Sequence, residues 1–291
     1  MSVISFVILH YGNVQVTKEC VDSILQLHTE DDIHIVVVDN DTNKSDEERQ
    51  VLKQEVLVDS RIEVFEIKEK SGFSKANNEG YAYTRRLHNP DYVIMTNNDI
   101  VFEQKDFLAK MKESYLKNSY AVLSPDIVSR ENGQHQSPIA GHGRSIFQVN
   151  YTIWMNAICL QMYSLVYPLL LWNYNKNKNK DAGQQSLVQQ ENIVPCGACI
   201  IASQKFVEHE PKMFVPETNF YYEEYILHER CKRNGYKIVF SPELQVIHGD
   251  GVATKENKIN EKKRLKFIMN ETMKAARVYK AVLQKINDNQ F

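Results

Sequence analysis

Two hydrophobic periods alternate along the first hundred residues. Residues 3–9 form a short apolar run ending at His10-Tyr11-Gly12-Asn13, the pattern of a buried strand opening into a loop. Val16, Cys20, Val21, Ile24, Leu25 and Leu27 follow at helical spacing. Residues 33–38 are a largely β-branched run closed by Asp39-Asn40-Asp41, and Ile62, Val64, Phe65 and Ile67 mark a third strand. Gly72 then opens a helical segment, and residues 92–95 form a fourth strand before Thr96-Asn97-Asn98-Asp99. This alternation predicts an α/β fold with a mostly parallel sheet flanked by helices on both faces. In such sheets ligands bind at the carboxyl ends of the strands. His10, Asp39 and Asp99 all fall there.

The second half changes character. Residues 194–202 read as a strand, and residues 222–234 as a helix stopped by Gly235. Residues 236–241 and 244–248 read as two further strands parted by Pro242, followed by Gly249-Asp250-Gly251. Over 259–286, Leu265, Ile268, Met269, Met273, Ala276, Val282, Leu283 and Ile286 predict a long amphipathic helix or two shorter ones. From Lys255 onward there are 10 Lys/Arg and 4 Asp/Glu, a local excess of +6. Residues 145–175, by contrast, hold no charged side chain, are rich in Leu, Trp and Met, and run into Lys176, Lys178 and Lys180. A membrane span needs ~20 mostly apolar residues, but strands lie on both sides, so one crossing would split a domain across the bilayer. Two readings stay open: an apolar helical insertion lying on a membrane surface, or one packed on the domain or a sister chain.

The chain has 291 residues, 43% hydrophobic and 25% charged, which describes a folded protein of one or two domains. Lys plus Arg is 35 and Asp plus Glu 37, so there is no global nucleic-acid footprint. The five cysteines are scattered and make no disulfide framework. The first ten residues have no basic region or cleavage site and read as a strand rather than a signal peptide. A cytoplasmic location follows as the expectation.

Four positions carry candidate chemistry. Asp39, at a strand end, can accept from a base or ribose donor, or simply cap a turn. Asp99, beside amide oxygens, suits Mg²⁺ or Mn²⁺ bridging a diphosphate, because hard cations take oxygen ligands; a plain turn is the alternative. Glu223-Glu224 opens a helix, where acids are favoured by the helix dipole alone, yet one of the pair can deprotonate an incoming hydroxyl. Arg230 lies further along that helix and can pair with one of them. His248 ends a strand and can ligate a metal or touch a phosphate. Cys196-x-x-Cys199 has no second pair and lies in an apolar strand, so zinc or redox chemistry is set aside. No Gly-x-Gly-x-x-Gly follows the first strand, and no Walker A or Gly-x-Ser-x-Gly sequence occurs, which disfavours dehydrogenase, NTPase and hydrolase readings.

The order of the motifs says more than any one of them. Val-Ile-Ser-Phe-Val-Ile-Leu-His-Tyr at 3–11, Val-Val-Val-Asp-Asn at 36–40, Ser-Gly-Phe-Ser-Lys-Ala-Asn-Asn-Glu-Gly at 71–80 and Tyr-Val-Ile-Met-Thr-Asn-Asn-Asp at 92–99 come first. Cys-Gly-Ala-Cys-Ile-Ile at 196–201, Phe-Tyr-Tyr-Glu-Glu-x5-Arg at 220–230, Arg-x-Gly-Tyr-x-Ile at 233–238 and Pro-x5-His at 242–248 follow. As a set these resemble family 2 inverting glycosyltransferases of the GT-A fold, in particular the bacterial rhamnosyltransferase-like branch of polysaccharide biosynthesis.

That resemblance implies a GT-A catalytic domain over 1–254, with a nucleotide-sugar half over 1–100, an apolar insertion over 145–180 and an acceptor half over 190–254. A basic helical region over 255–291 follows. It implies transfer from a dTDP- or UDP-sugar donor to a glycan or lipid-linked glycan acceptor, at the inner membrane face. Asp39 would bind the nucleoside, with His10, Tyr11, Asn40, Gly72, Phe73, Asn77, Asn98 and Arg230 around the donor. Asp99 and His248 would hold Mg²⁺ or Mn²⁺, and Glu224 would be the base, with Glu223 the alternate. Two departures stand out. The family's Asp-x-Asp is here Asn97-Asn98-Asp99, which leaves one carboxylate for the metal and makes its use weak or facultative. The catalytic position is Glu rather than Asp, one methylene longer. The competing readings are a sugar-phosphate nucleotidyltransferase and a non-catalytic saccharide- or nucleotide-binding scaffold.

Overall fold

A computed structural model describes residues 1–41, 44–69, 71–178, 187–249 and 261–288. Four strands, β1 (Val3–His10), β2 (Asp32–Asp39), β3 (Ile62–Glu66) and β4 (Tyr92–Asn97), lie parallel in the order β3-β2-β1-β4. Their apolar side chains are buried on both faces, which is why they read as continuous apolar runs rather than alternating ones. The crossovers are helical: α1 (Val14–Leu25), α2 (Asp46–Val56) and α3 (Phe73–His88). A Ser45–Glu48 capping box fixes the start of α2. Only Leu52 and Val56 of α2 are buried, too little apolar periodicity to betray it in the sequence. Gly80 brings α3 against the sheet, where a Cβ would run into Val7 and Val38.

Beyond β4 the sheet becomes mixed. The elements are β5 (Ile100–Val101), α4 (Phe107–Asn118), β6 (Val122–Ser129), α5 (Ile146–Gln161), α6 (Tyr163–Lys178), β7 (Gln190–Glu191), β8 (Cys199–Ala202), α7 (Gln204–Val207), α8 (Glu223–Arg233), β9 (Ile238–His248) and α9 (Glu261–Asn287). The sheet runs β3-β2-β1-β4-β8-β6-β9-β5, with β7 on β9. β8 is antiparallel to both β4 and β6, whereas β6 and β9 are parallel. Two apolar layers cover its faces. A third cluster, Val149, Tyr222, Ile226, Ala275, Ala276, Tyr279 and Val282, joins α5, α8 and α9.

Several expected elements change form. The strand expected over 194–202 is confined to Cys199–Ala202, because residues 195–198 leave the ladder to approach α8. The two strands expected around Pro242 are one, β9. Its register against β6 slips between Pro125 and Asp126, so Pro242 sits in a bulge where its missing N–H is tolerated. The C-terminal helix is unbroken from Glu261 to Asn287. The uncharged segment forms two helices, α5 and α6, and among the described residues no helix is long and apolar enough to cross a membrane. Lys180, Asp250, Gly251, Lys255 and Ile259 lie outside the described residues.

Candidate active site

The site begins at the carboxyl ends of the parallel strands. His10 of β1 and Asp39 of β2 are register partners, and Leu9 pairs with Asn97 of β4. His10 is fully buried. Its Nδ1 bonds the Thr17 hydroxyl at 2.5 Å, and its Nε2 accepts from the Lys44 ammonium at 2.7 Å. Burial, with Lys44 beside it, pushes its pKa down to about 3, so the ring is neutral. Both ring nitrogens are therefore occupied, and His10 serves as a strut rather than an open donor contact. Asn98 joins the strut, donating to Thr17 Oγ1 at 2.9 Å and to the Tyr11 carbonyl at 3.2 Å. Lys44 also donates to the Gly12 carbonyl at 2.8 Å. It is the one cation in this network among the described residues, and no periodicity or motif in the sequence marks it.

Asp39 is buried and accepts from the Asp41 N–H at 3.1 Å. Burial pushes its carboxyl up. Asn40 donates through Nδ2 to the Ser71 carbonyl at 3.1 Å, while its buried Oδ1 has no hydrogen-bond partner. An unpaired buried acceptor is costly unless a ligand supplies the donor. Gly72 follows Ser71 and caps α3 without a side chain. A Cβ on Gly72 would lie 2.6 Å from Asn219 Cα, and Phe73 N–H donates to the Asn219 carbonyl at 2.8 Å. Glycine is required there by close backbone approach. Asn77 donates to the Phe73 carbonyl at 3.0 Å, a bond internal to α3, and Phe73 stacks loosely on Phe214 with ring centroids 5.6 Å apart.

The Asn219 contact leads to the acid pair. Tyr221 and Tyr222 adopt left-handed backbone at φ 70° and 64°, a strained conformation for two successive non-glycine residues. Tyr222 is held by rings of Tyr225 and Tyr279, each 5.4 Å away, and by the Arg144 guanidinium over its face. This turn launches α8 with Glu223 and Glu224 in its first turn. Glu223 is buried with Oε2 unpartnered; burial and the neighbouring Glu224 push its carboxyl up to about 8. Burial raises Glu224 too, but the N–H groups of Gly197 and of Glu224 itself act in the opposite direction, favouring its carboxylate. The N–H groups of Tyr221 and Glu223 act the same way on Glu223, and the charge of Glu224 raises it further, so the buried pair resists carrying two charges at once.

A second chain of contacts links Glu224 to the metal motif. Gly197 lies against the Glu224 carboxylate, where a Cβ would collide with Oε1. The next residue, Ala198, accepts from Asn97 N–H at 2.9 Å. Two residues on, Asp99 Oδ1 is 3.2 Å from His248 Nε2. His248 Nδ1 bonds the Gln136 Oε1 at 2.6 Å, and Gln136 is pinned by its own N–H to the Ile127 carbonyl at 2.8 Å. With Nδ1–H given to Gln136, Nε2 faces Asp99, the tautomer a metal-binding imidazole needs. Ligand atoms in adjacent positions of an octahedral Mg²⁺ or Mn²⁺ shell are roughly 3 Å apart, given bonds of ~2.1 Å. The Asp99–His248 pair fits that separation. Among the described residues no group of three or more His, Cys, Asp or Glu side chains could hold a metal.

Arg230 stands apart from this cluster. Rather than pairing with either acid, it bonds Glu210 at 2.5 Å and the Met213 carbonyl at 2.9 Å, tying α8 to the 210–213 loop. The sequence spacing suggested an acid pairing, but Glu224, six residues before Arg230, lies on another face of the helix, and Glu223, seven before it, lies two turns away. Tyr11 is exposed at the mouth of the cleft. Cys196 and Cys199 are free thiols whose burial raises their pKa strongly, so they are chemically quiet.

Residues 5–209 match the family model described as glycosyl transferase family 2. No curated protein matches the chain. Among solved structures, that of S. aureus TarS 1–349 resembles it with a TM-score of 0.52 at 12% identity. The likeness covers 92% of this chain and 65% of that one, so the chain spans about two thirds of its length. At that identity the likeness speaks for the fold, and with the family match it makes the mixed α/β architecture a GT-A fold.

Proposed function

The chain belongs to glycosyl transferase family 2, and from that premise we propose that it transfers a sugar, with inversion, from a nucleotide diphosphate-sugar to an acceptor hydroxyl. One observation carries the reading: two short contact chains, Asn40–Ser71–Gly72–Asn219 and Asn97–Ala198–Gly197, tie the strand-end acids to the Glu223–Glu224 turn. These links support a reading in which three carboxylates remote in sequence serve one site.

In this proposal Asp39 and the unpaired Asn40 Oδ1 take the base, since uracil and thymine both present an N3–H donor. Tyr11, Gly72, Phe73 and Asn77 shape that wall, and His10 and Asn98 act by holding Lys44 and the Tyr11 loop in place. Arg230 acts through the 210–213 loop. Glu224 takes the proton of the acceptor hydroxyl as its oxygen attacks the anomeric carbon from the face opposite the diphosphate. The new C–O bond forms, the bond to the diphosphate oxygen breaks, and that electron pair leaves with the nucleotide. Glu223, holding its own proton, keeps a second negative charge away from the base. Mg²⁺ or Mn²⁺, held by Asp99 and His248, would neutralise charge developing on the leaving diphosphate. Lys44 adds a fixed positive charge to the same end of the site.

The domain plan follows: a nucleotide-sugar half over 1–100, an insertion over 145–180, an acceptor half over 190–254 and a basic helical region over 255–291. A dTDP- or UDP-sugar is the proposed donor, rhamnose among the candidate sugars. The proposed acceptor is a glycan or lipid-linked glycan of surface polysaccharide synthesis, met at the cytoplasmic membrane face. The test is thermal denaturation of the full chain against a nucleotide-sugar panel, with and without Mn²⁺ or Mg²⁺. A true donor at a hundred times its Kd stabilises by ~2.7 kcal/mol. Failure of every dTDP- and UDP-sugar to raise Tm would leave the non-catalytic scaffold as the better account.

A further inference from the structure

The helix pair α5–α6 presents the largest apolar side chains that the chain leaves in water. Phe147, Trp154, Leu165, Leu169 and Trp172 are 59–81% exposed. On α6, Leu165, Leu169, Trp172 and Lys176 recur at helical spacing, and Pro168 lies within the same exposed stripe. Among the described residues of α6 only Tyr163 is buried. A helix apolar on nearly all sides is expected to be covered. Among the described residues nothing covers it.

The surroundings say what does. A notch of about 590 Å³ lies where α5 meets α6, walled by residues 160–165 and by Lys262, Lys263 and Lys266 of α9. The Tyr163 hydroxyl donates to the Lys262 carbonyl at 2.6 Å, which locks the helix pair to the lysine turn. Lys262 and Lys266 lie over the Tyr167 and Tyr163 rings at 5.5 and 6.0 Å, and Lys176 over Trp172 at 4.9 Å. Apolar and aromatic side chains rimmed by amines, with no acid among the described lining residues, match a lipid–water interface. A twofold contact with a second copy centred on the notch would set lysines against lysines. Sixteen residues of α6 extend ~24 Å at 1.5 Å each, less than the ~30 Å hydrocarbon layer, so the helix suits lying in the plane rather than crossing.

We propose that α5, α6 and the first turns of α9 form a docking surface for a bilayer of anionic phospholipid. Headgroup phosphates occupy the lysine notch, and Leu165, Leu169 and Trp172 enter the acyl boundary. The surface continues into the acid turn: Phe267, next to Lys266, packs its ring 5.8 Å from Phe220, three residues before Glu223. Docking would thus turn that end of the cleft toward the membrane. This last step rests on the proposed sugar transfer; the docking does not.

The chain has two tryptophans, Trp154 and Trp172, and both lie on this surface, so intrinsic fluorescence reads it alone. Full-length protein is titrated with phosphatidylcholine vesicles containing or lacking 30–40% (about one third) phosphatidylglycerol, and co-sedimentation is measured in parallel. The expected result is a blue shift and sedimentation with the anionic vesicles, weakened by salt. Lys262→Glu/Lys263→Glu/Lys266→Glu should bind roughly 100-fold more weakly, and Leu165→Glu/Leu169→Glu should lose the blue shift. Both variants should keep the wild-type thermal shift with UDP- or dTDP-sugar, which separates loss of docking from loss of donor binding. Absence of vesicle binding by the wild type overturns the proposal. So does equal binding to neutral vesicles, or a blue shift that follows protein concentration and dimer mass without lipid.

Discussion

Gly197 lies so close to Glu224 that any side chain at position 197 would occupy the space of the carboxylate oxygen. The contact joins two segments separated by the loop and turn that precede α8, and it fixes where the acid of that helix points. Gly197→Ala therefore tests the position of Glu224 without touching its chemistry. The methyl should push the carboxylate off its site and lower kcat by 10- to 100-fold, a displacement effect of the size expected for a misaligned catalytic group. Donor-induced thermal shifts should be unchanged. Full activity in Gly197→Ala would mean that Glu224 is not the group that matters.

The two acids of the pair should separate cleanly by amide substitution. Glu224→Gln should lower kcat by 10²–10⁴-fold, the usual worth of a general base, while nucleotide-sugar binding persists. Glu223→Gln keeps a neutral, hydrogen-bonding side chain where a protonated carboxyl stands, and should retain activity within about tenfold. Steady-state kinetics of both variants decide between them; the reverse ranking would assign the base to Glu223.

The same pair predicts opposite pH effects on activity and stability. Glu224 must be ionised to act and its carboxyl is raised by burial, so kcat/KM should climb with pH along a limb above the ordinary carboxylate range of about 4.3. Glu223 is raised to about 8. An acid bound more tightly to its proton when folded favours the folded state below its unfolded pKa, and that contribution is lost as pH rises through the folded value. Glu223→Gln should accordingly raise Tm at pH 8–9 by about 2–5 °C and change it little at pH 4. An equal shift at both pH values would show that Glu223 does not titrate in this way.

Gln136 should act on the metal through His248. It accepts the imidazole Nδ1–H at 2.6 Å, and such supporting bonds are worth 10- to 100-fold in metal affinity. Mn²⁺ binding to Gln136→Ala, followed by electron paramagnetic resonance with a nucleotide diphosphate present, should weaken by about that factor. Asp99→Asn should abolish it. Unaltered Mn²⁺ affinity in both variants would remove Asp99 and His248 from metal binding, and chelator treatment of the wild type would then leave its activity intact.

The first hundred residues were readily legible because both strand and helix there are written in burial. β1, β2 and β4 are buried runs, β3 is half-buried beyond Ile62, and α1 carries one apolar stripe. Thin burial hid α2, which buries only Leu52 and Val56, and β5 and β7, which have two residues each, but α4 and the well-buried β6 went unread as well. The Pro242 break was misleading for a related reason. Proline is tolerated within a strand at a bulge, and β9 bulges over residues 242–244, between the Ser241–Pro125 and Gln245–Asp126 pairs.

The site divides along the same line. Asp39, Asp99, His248 and the Glu223–Glu224 pair could be picked out because strand ends and helix starts are marked by local sequence. Lys44, Gln136 and the Gly197 contact could not, since each matters only through a partner far along the chain.

What the sequence determined by itself was the alternation of elements and the acids at their ends, because burial and capping act over a few residues. The tertiary structure alone decided which ends meet, that two adjacent glutamates are buried together with raised carboxyls, and that among the described residues α5–α6 stands uncovered beside three lysines. Those outcomes depend on desolvation and on contacts across tens to more than a hundred residues, and no local pattern encodes them.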